Sequence, residues 1–167
     1  YKFSMIHIID IMRKLNKNLS GFSIGTGNQN SANAKFNVAK PGAISGTNLY
    51  METLSYSVFS TFSDMPGQAN LLADRMIATL GANRFNNEWK LVTFFIGGND
   101  FVLIAMIQYE FIILNNSGAT YCFTFSIECY SATAYTNNIK TTLNILRNRM
   151  PRTLVNFVTV LNVAELE

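Results

Sequence analysis

The stretch "KLVTFFIGGNDF", residues 90–101, decides the fold. Its near-continuous apolar run predicts a strand buried on both faces, as in a parallel sheet. The run then stops on Gly97-Gly98-Asn99-Asp100. A turn alone does not require such an ending. Glycine lets a backbone approach another molecule closely, and the Asn99 amide is a neutral donor able to stabilise developing negative charge at any pH. Asn-Asp is also a common helix cap, so the tetrapeptide by itself leaves both roles open.

Working outward, residues 133–149 place Ile139, Leu143, Leu146 and Met150 at helical spacing, and Pro151 ends that helix. "TLVNFVTVLNV" (153–163) reads as the last strand. On the other side, a helix is expected from Pro66, a residue suited to a first turn. Its inward residues are Ala69, Leu72, Ala73, Met76 and Leu80, and Gly81 terminates it. Further upstream, "GFSIGTG" (21–27) and "KFNVA" (35–39) read as brief strands, the second closed by Pro41-Gly42. Residues 4–16 carry Met5, Ile8, Ile9, Met12 and Leu15 on one helical face. Strands alternating with helices predict an α/β fold with a mainly parallel sheet and helices on both faces. In such sheets ligands bind beyond the carboxyl ends of the strands, where "GTGNQN" and "GGND" both fall.

The 167 residues suit one domain. With 49% hydrophobic and 14% charged residues, the composition excludes a disordered chain. The net charge of +3 is scattered, and the densest basic stretch, "LRNRMPR" (146–152), sits at a helix end where cations complement the dipole. No basic face interleaved with aromatics points to nucleic acid. The most apolar run, "FVLIAMIQYEFIIL" (101–114), contains Glu110 and is 14 residues long, short of the ~20 a bilayer span needs. The first residue is Tyr1, which predicts a fragment or a processed piece, and no signal peptide opens the sequence. Sequons at Asn18 and Asn115 fit a secreted chain. Cys122 and Cys129 have no metal spacing, and with His7 the sole histidine a zinc site would lack ligands.

"IGTGNQN" has the outline of a dinucleotide loop, but Asn30 stands where the third glycine belongs and no helix is expected directly behind it. It reads as a glycine-rich turn. "FNVAKPGA" (36–43) and "GGND" (97–100) are more informative together, since each follows an expected strand of one sheet. The order Asn37-x-Ala39-x-x-Gly42-Ala43, then Gly97-Gly98-Asn99-Asp100, resembles blocks II and III of the GDSL (SGNH) hydrolases. The similarity extends to "LNKNLSGFSIGTGNQNSANAKFNVAKPGA", "EWKLVTFFIGGNDF" and "YTNNIKTTLNILRNRMPRTLVNFVTVLNVAEL", and is nearest to the phospholipase B branch.

The resemblance implies a three-layer α/β/α sandwich, incomplete in these residues. Gly42 and Asn99 would be the oxyanion-hole donors, and Asp100 would support its loop. The family's nucleophilic serine and its Asp-x-x-His block have no counterpart: no "GDSL" occurs, and His7 precedes the second block on an expected helix surface. The implied function is part of a phospholipase B-type esterase acting on phospholipids and lysophospholipids. It needs no cofactor, is extracellular or lumenal and membrane-associated, can touch a membrane surface, and is inactive as this chain alone. Two other readings are a non-catalytic lipid- or partner-binding pseudoenzyme and a GDSL esterase for non-lipid esters. Cys129 lies where the branch carries a cysteine cluster; a Cys122–Cys129 bridge stays open.

Two segments interrupt the resemblance, 47–63 and 102–126, so residues 1–167 read as a partial hydrolase domain with two insertions. Both end in Thr-Phe-Ser. Phe-Ser can be encoded as TTT-TCA, which with a following G completes an intron 3′ end, and Val102 begins with the GT of an intron start. The segments are either retained intron sequence or lid-like surface insertions of the kind lipases use. The apolar run within 102–126 favours the first reading. A cDNA from the source is expected to lack one or both sets of codons; a transcript containing both would overturn the intron reading.

Overall fold

Asp64 opens the longest helix of the computed structural model. The structure describes residues 8–46, 64–98 and 132–158. In order, these form α1 (Ile8–Leu15), a short 3₁₀ turn (Ala32–Ala34), α2 (Met65–Asn87), β1 (Lys90–Phe95), α3 (Ala132–Arg149) and β2 (Thr153–Val158). The chain divides into two units, Tyr1–Ala39 and Lys40–Glu167. The segments 47–63 and 102–126, with His7, Cys122 and Cys129, lie outside the described residues.

In the first unit, α1 carries Asp10 in its first turn and Arg13 and Lys14 in its last, each sign matching the helix dipole. The Arg13 guanidinium lies 5.1 Å from the centre of the Phe22 ring. The strands expected at 21–27 and 35–39 do not form. One backbone bond joins them, Phe36 N–H to Gly21 O, and a second, Ile24 N–H to Asn33 O, falls just before the second segment, each 3.0 Å. These lie in antiparallel register, but Lys35 at φ 53° breaks the extension of one side. Gly25 and Gly27, at φ 147° and 143°, break the other. The glycine-rich segment is a turn, with Asn28 Oδ1 accepting from Asn30 N–H at 2.9 Å. A three-residue 3₁₀ turn follows where a dinucleotide loop would need a helix.

In the second unit, Asp64 caps α2: its Oδ1 accepts from Gly67 N–H at 2.6 Å, satisfying an orphan donor of the first turn. Met65, Ala69, Leu72, Ala73 and Met76 are buried along the expected face, and Leu80 is half-buried. Gly81 kinks the helix instead of ending it. Its φ of 73° and ψ of 160° leave the helical region, and helical residues resume to Asn87. The end comes at Glu88, whose N–H reaches Arg84 O at 2.9 Å and whose carboxylate pairs with Arg84 at 2.7 Å.

β1 and β2 pair in parallel, from Lys90 opposite Thr153 to Phe95 opposite Val158. The fold is mixed α/β with a parallel pair, as the alternation of strands and helices predicts. The double burial expected for 90–95 is not seen. Val92 is buried, whereas Leu91, Phe95, Leu154 and Val158 share the opposite face at 42%, 75%, 60% and 37% exposure. Among the described residues only one face of the pair is covered. α2 and α3 pack together, and Arg149 of α3 ties them, reaching Asn70 Oδ1 at 2.7 Å and Asp74.

The foot of the sheet is fixed by a buried lysine. Lys90 Nζ donates to Glu88 O at 2.9 Å and Pro151 O at 2.7 Å and sits 4.8 Å from the Phe85 ring centre. Burial lowers its ammonium below the usual lysine range; Glu88 opposes that shift and Arg152 adds to it. One side chain thereby joins the end of α2 to the turn before β2. Lys90→Met keeps the apolar stem and removes both bonds, and should cost about 1–3 kcal/mol in denaturant unfolding, the range for bonds from a charged donor. An unchanged midpoint would show that the two carbonyls are equally well served by water.

Candidate active site

The segment Lys40–Gly46 turns on Pro41-Gly42. Ala43 N–H donates to Lys40 O at 3.2 Å, and Gly42 adopts φ 77°. Proline followed by a positive-φ glycine is the sequence of a type II turn. The turn gives Gly42 a structural reason to be glycine, and it also leaves a backbone donor at a half-buried position without a side chain beside it. Behind the turn, Ala43, Ile44 and Ser45 are buried, anchoring it in the core.

The second candidate loop leaves β1 at Ile96. Gly97 is buried with φ 125°, while a Cβ on Gly98 would meet open space. Asn99 and Asp100, the next residues, lie outside the described residues. Of the two expected oxyanion donors, the structure therefore places Gly42 and the glycines leading to Asn99.

One helix touches both loops. Tyr135 Oη donates to Ile96 O at 2.7 Å, and Asn138 Nδ2 donates to Ser45 Oγ at 3.1 Å. The amide of Asn138 occupies the space where a Cβ on Gly46 would stand. These residues are three apart, hence neighbours on one face of α3. Below them, buried Thr142 donates to Asn138 O at 2.8 Å, and Leu146 and Met150 complete the inward face. The expected apolar stripe is met at Leu146 and Met150. Ile139 is half-buried, and Leu143 is 39% exposed.

Nearly the whole sequence aligns with one region of a known enzyme. It is 32% identical over 159 residues, 95% of the chain, to membrane-associated phospholipase B1 of Rattus norvegicus and of Homo sapiens. The Mus musculus protein of the same name is 32% identical over 157 residues, 94% of the chain. The chain is related to phospholipase B. It spans 8% of the length of these relatives. No protein-family model matches the sequence, and no solved structure does.

Within the described residues the site has loops and neutral dipoles. No cluster of His, Cys, Asp or Glu able to hold a metal occurs among them, and none of their helices is long and apolar enough to cross a membrane. Tyr135 and Asn138 escaped the sequence reading because their side chains are polar and the helix was oriented by its apolar residues. The available signal was spacing: two hydrogen-bonding side chains at i and i+3, ahead of a buried stripe, on a helix lying between two strands.

The turn itself can be tested. Gly42→Ala should destabilise the fold by roughly 1–2 kcal/mol, the cost of left-handed backbone for an L-residue. Gly98→Ala should stay within about 0.5 kcal/mol, as for a surface change without a special constraint. Equal denaturation midpoints for the two variants would contradict the conformation assigned to Gly42.

Proposed function

We propose that this chain is part of a phospholipase B-type serine esterase of the GDSL (SGNH) class, hydrolysing acyl esters of phospholipids and lysophospholipids. The observation that carries the reading is the identity across 95% of the chain to membrane-associated phospholipase B1. The two loops proposed as blocks II and III also fit it, since a single helix binds both. The uncovered apolar face of β1 and β2 is where the second helical layer of a three-layer sandwich would lie.

In this reading a serine supplied by sequence beyond these residues attacks the ester carbonyl and passes its proton to a histidine, also supplied from beyond them. The Gly42 N–H and the Asn99 side-chain amide donate hydrogen bonds to the resulting oxyanion. Collapse of the tetrahedral species expels the lysolipid or glycerol alcohol, protonated by the same histidine, and leaves an acyl-enzyme for water to hydrolyse. Neither donor titrates near neutral pH, so they stabilise charge without moving protons. Asp100 shapes its loop. The enzyme acts at an extracellular or lumenal membrane surface, and the 167 residues alone turn nothing over.

In a complete polypeptide carrying this segment, Asn99→Ala should lower turnover of lysophosphatidylcholine ~10²–10³-fold, the usual cost of an oxyanion donor. Turnover within about twofold of the parent would remove Asn99 from that role. Faster hydrolysis of short acyl esters than of the lysolipid would replace the lipid substrate with a soluble one.

A further inference from the structure

We propose that Tyr135 and Asn138 are positioning residues that set the two oxyanion loops at a fixed separation by binding both to one turn of α3. The inference rests on the reading of Gly42 and Asn99 as donors and adds the device that holds them.

An oxyanion hole works only if its donors are placed before the charge appears, because reorganisation during reaction would consume the gain. Glycine-rich loops give access but little rigidity. Here each loop is held near its root. Tyr135 binds the carbonyl of Ile96, immediately before Gly97. Asn138 binds the hydroxyl of Ser45, which is 2% exposed, three residues after Gly42. The second tie depends on the neighbouring glycine, since any side chain on Gly46 would occupy the space of the Asn138 amide. Asn138 is itself steadied by packing on the helix, with Thr142 donating to its backbone carbonyl. Both ties start from one turn of a single rigid element, so the distance between the loops is set by the rise of that helix.

The placement is also economical in burial. A tyrosine hydroxyl and an asparagine amide on an inward helix face are costly unless they find partners. Here the hydroxyl finds Ile96 O and the amide finds Ser45 Oγ, one on each loop.

The test uses a complete polypeptide containing this segment, with Tyr135→Phe, Asn138→Ala and, from the loop side, Gly46→Ala. Tyr135→Phe removes one hydroxyl and should leave the fold intact. Amide hydrogen exchange in the unliganded protein is read first. Asn138→Ala and Gly46→Ala should speed exchange in residues 42–46, and Tyr135→Phe in 97–98, with β1 and α2 unchanged. Lysophosphatidylcholine kinetics are read second. Each variant should lose about tenfold or more in kcat with KM within twofold, because sub-ångström displacement of a catalytic group is enough for such a loss.

Loop exchange at parental rates would overturn the proposal whatever the kinetics. Faster loop exchange with unchanged kcat, in a protein where Asn99→Ala remains damaging, would also overturn it, leaving the oxyanion reading intact. If Asn99→Ala is itself harmless, the oxyanion reading fails, and the positioning role falls with it.

Discussion

The parallel pairing of β1 with β2 constrains everything else in the second unit. Two parallel strands cannot be joined by a hairpin; the chain must cross back over the sheet, usually as a helix. α3 is that return path. It starts beyond the carboxyl end of β1 and finishes just before the amino end of β2. Its first turns therefore lie at the end of the sheet where ligands bind in open α/β folds. The same helix must pack on the sheet at one end and serve loops at the other. Its inward face changes character accordingly, from Tyr135 and Asn138 through Thr142 to Leu146 and Met150.

The two ends of β1 are handled by opposite chemistry. At the amino end, Lys90 gathers two carbonyls and an aromatic ring, and the Arg84–Glu88 pair stands beside it. Among the described residues, the groups with clearly shifted titration belong to this end: Arg84 raised and Glu88 lowered chiefly by their mutual hydrogen bond, Lys90 lowered by burial. At the carboxyl end the chain turns to glycine, with Gly97 at a φ that favours no side chain. Among the described residues, charge fixes the foot of the strand, and glycine backbone follows its carboxyl end.

What the sequence made legible follows from which forces are local. Pro66 and Pro151 mark helix limits through backbone geometry alone, and the structure agrees with the expected start of α2 and the expected end of α3 to within a residue. The Pro41-Gly42 turn was readable for the same reason. Residues 21–27 and 35–39 looked like strands because they are short, apolar and flanked by turn residues. A strand, however, needs a continuous partner, and two isolated bonds interrupted by Gly25, Gly27 and Lys35 do not make one. Gly81 carried the signature of a helix stop, yet helical residues resume after the kink, where Phe85 is buried and Arg84 pairs with Glu88. Tyr135 and Asn138 were invisible for a non-local reason: their partners lie 39 and 93 residues away. The role proposed for Asn99 was legible only through resemblance, and the double burial of β1 was inferred from composition that does not say which chain covers the second face.

That second face connects the fold to the length of the relatives. Leu91, Phe95, Leu154 and Val158 form paired rows on a parallel sheet, and such sheets occur almost only with both faces covered. The region that this chain matches is 8% of each phospholipase B1. A covering layer, a nucleophile and a base are all demanded by the same proposed architecture, and all three can come from sequence adjoining the matched region. Under the proposed reading, the loops at the carboxyl end of β1 and at Pro41-Gly42 are the ones that would donate to an oxyanion, and the exposed apolar rows mark where a covering layer would pack.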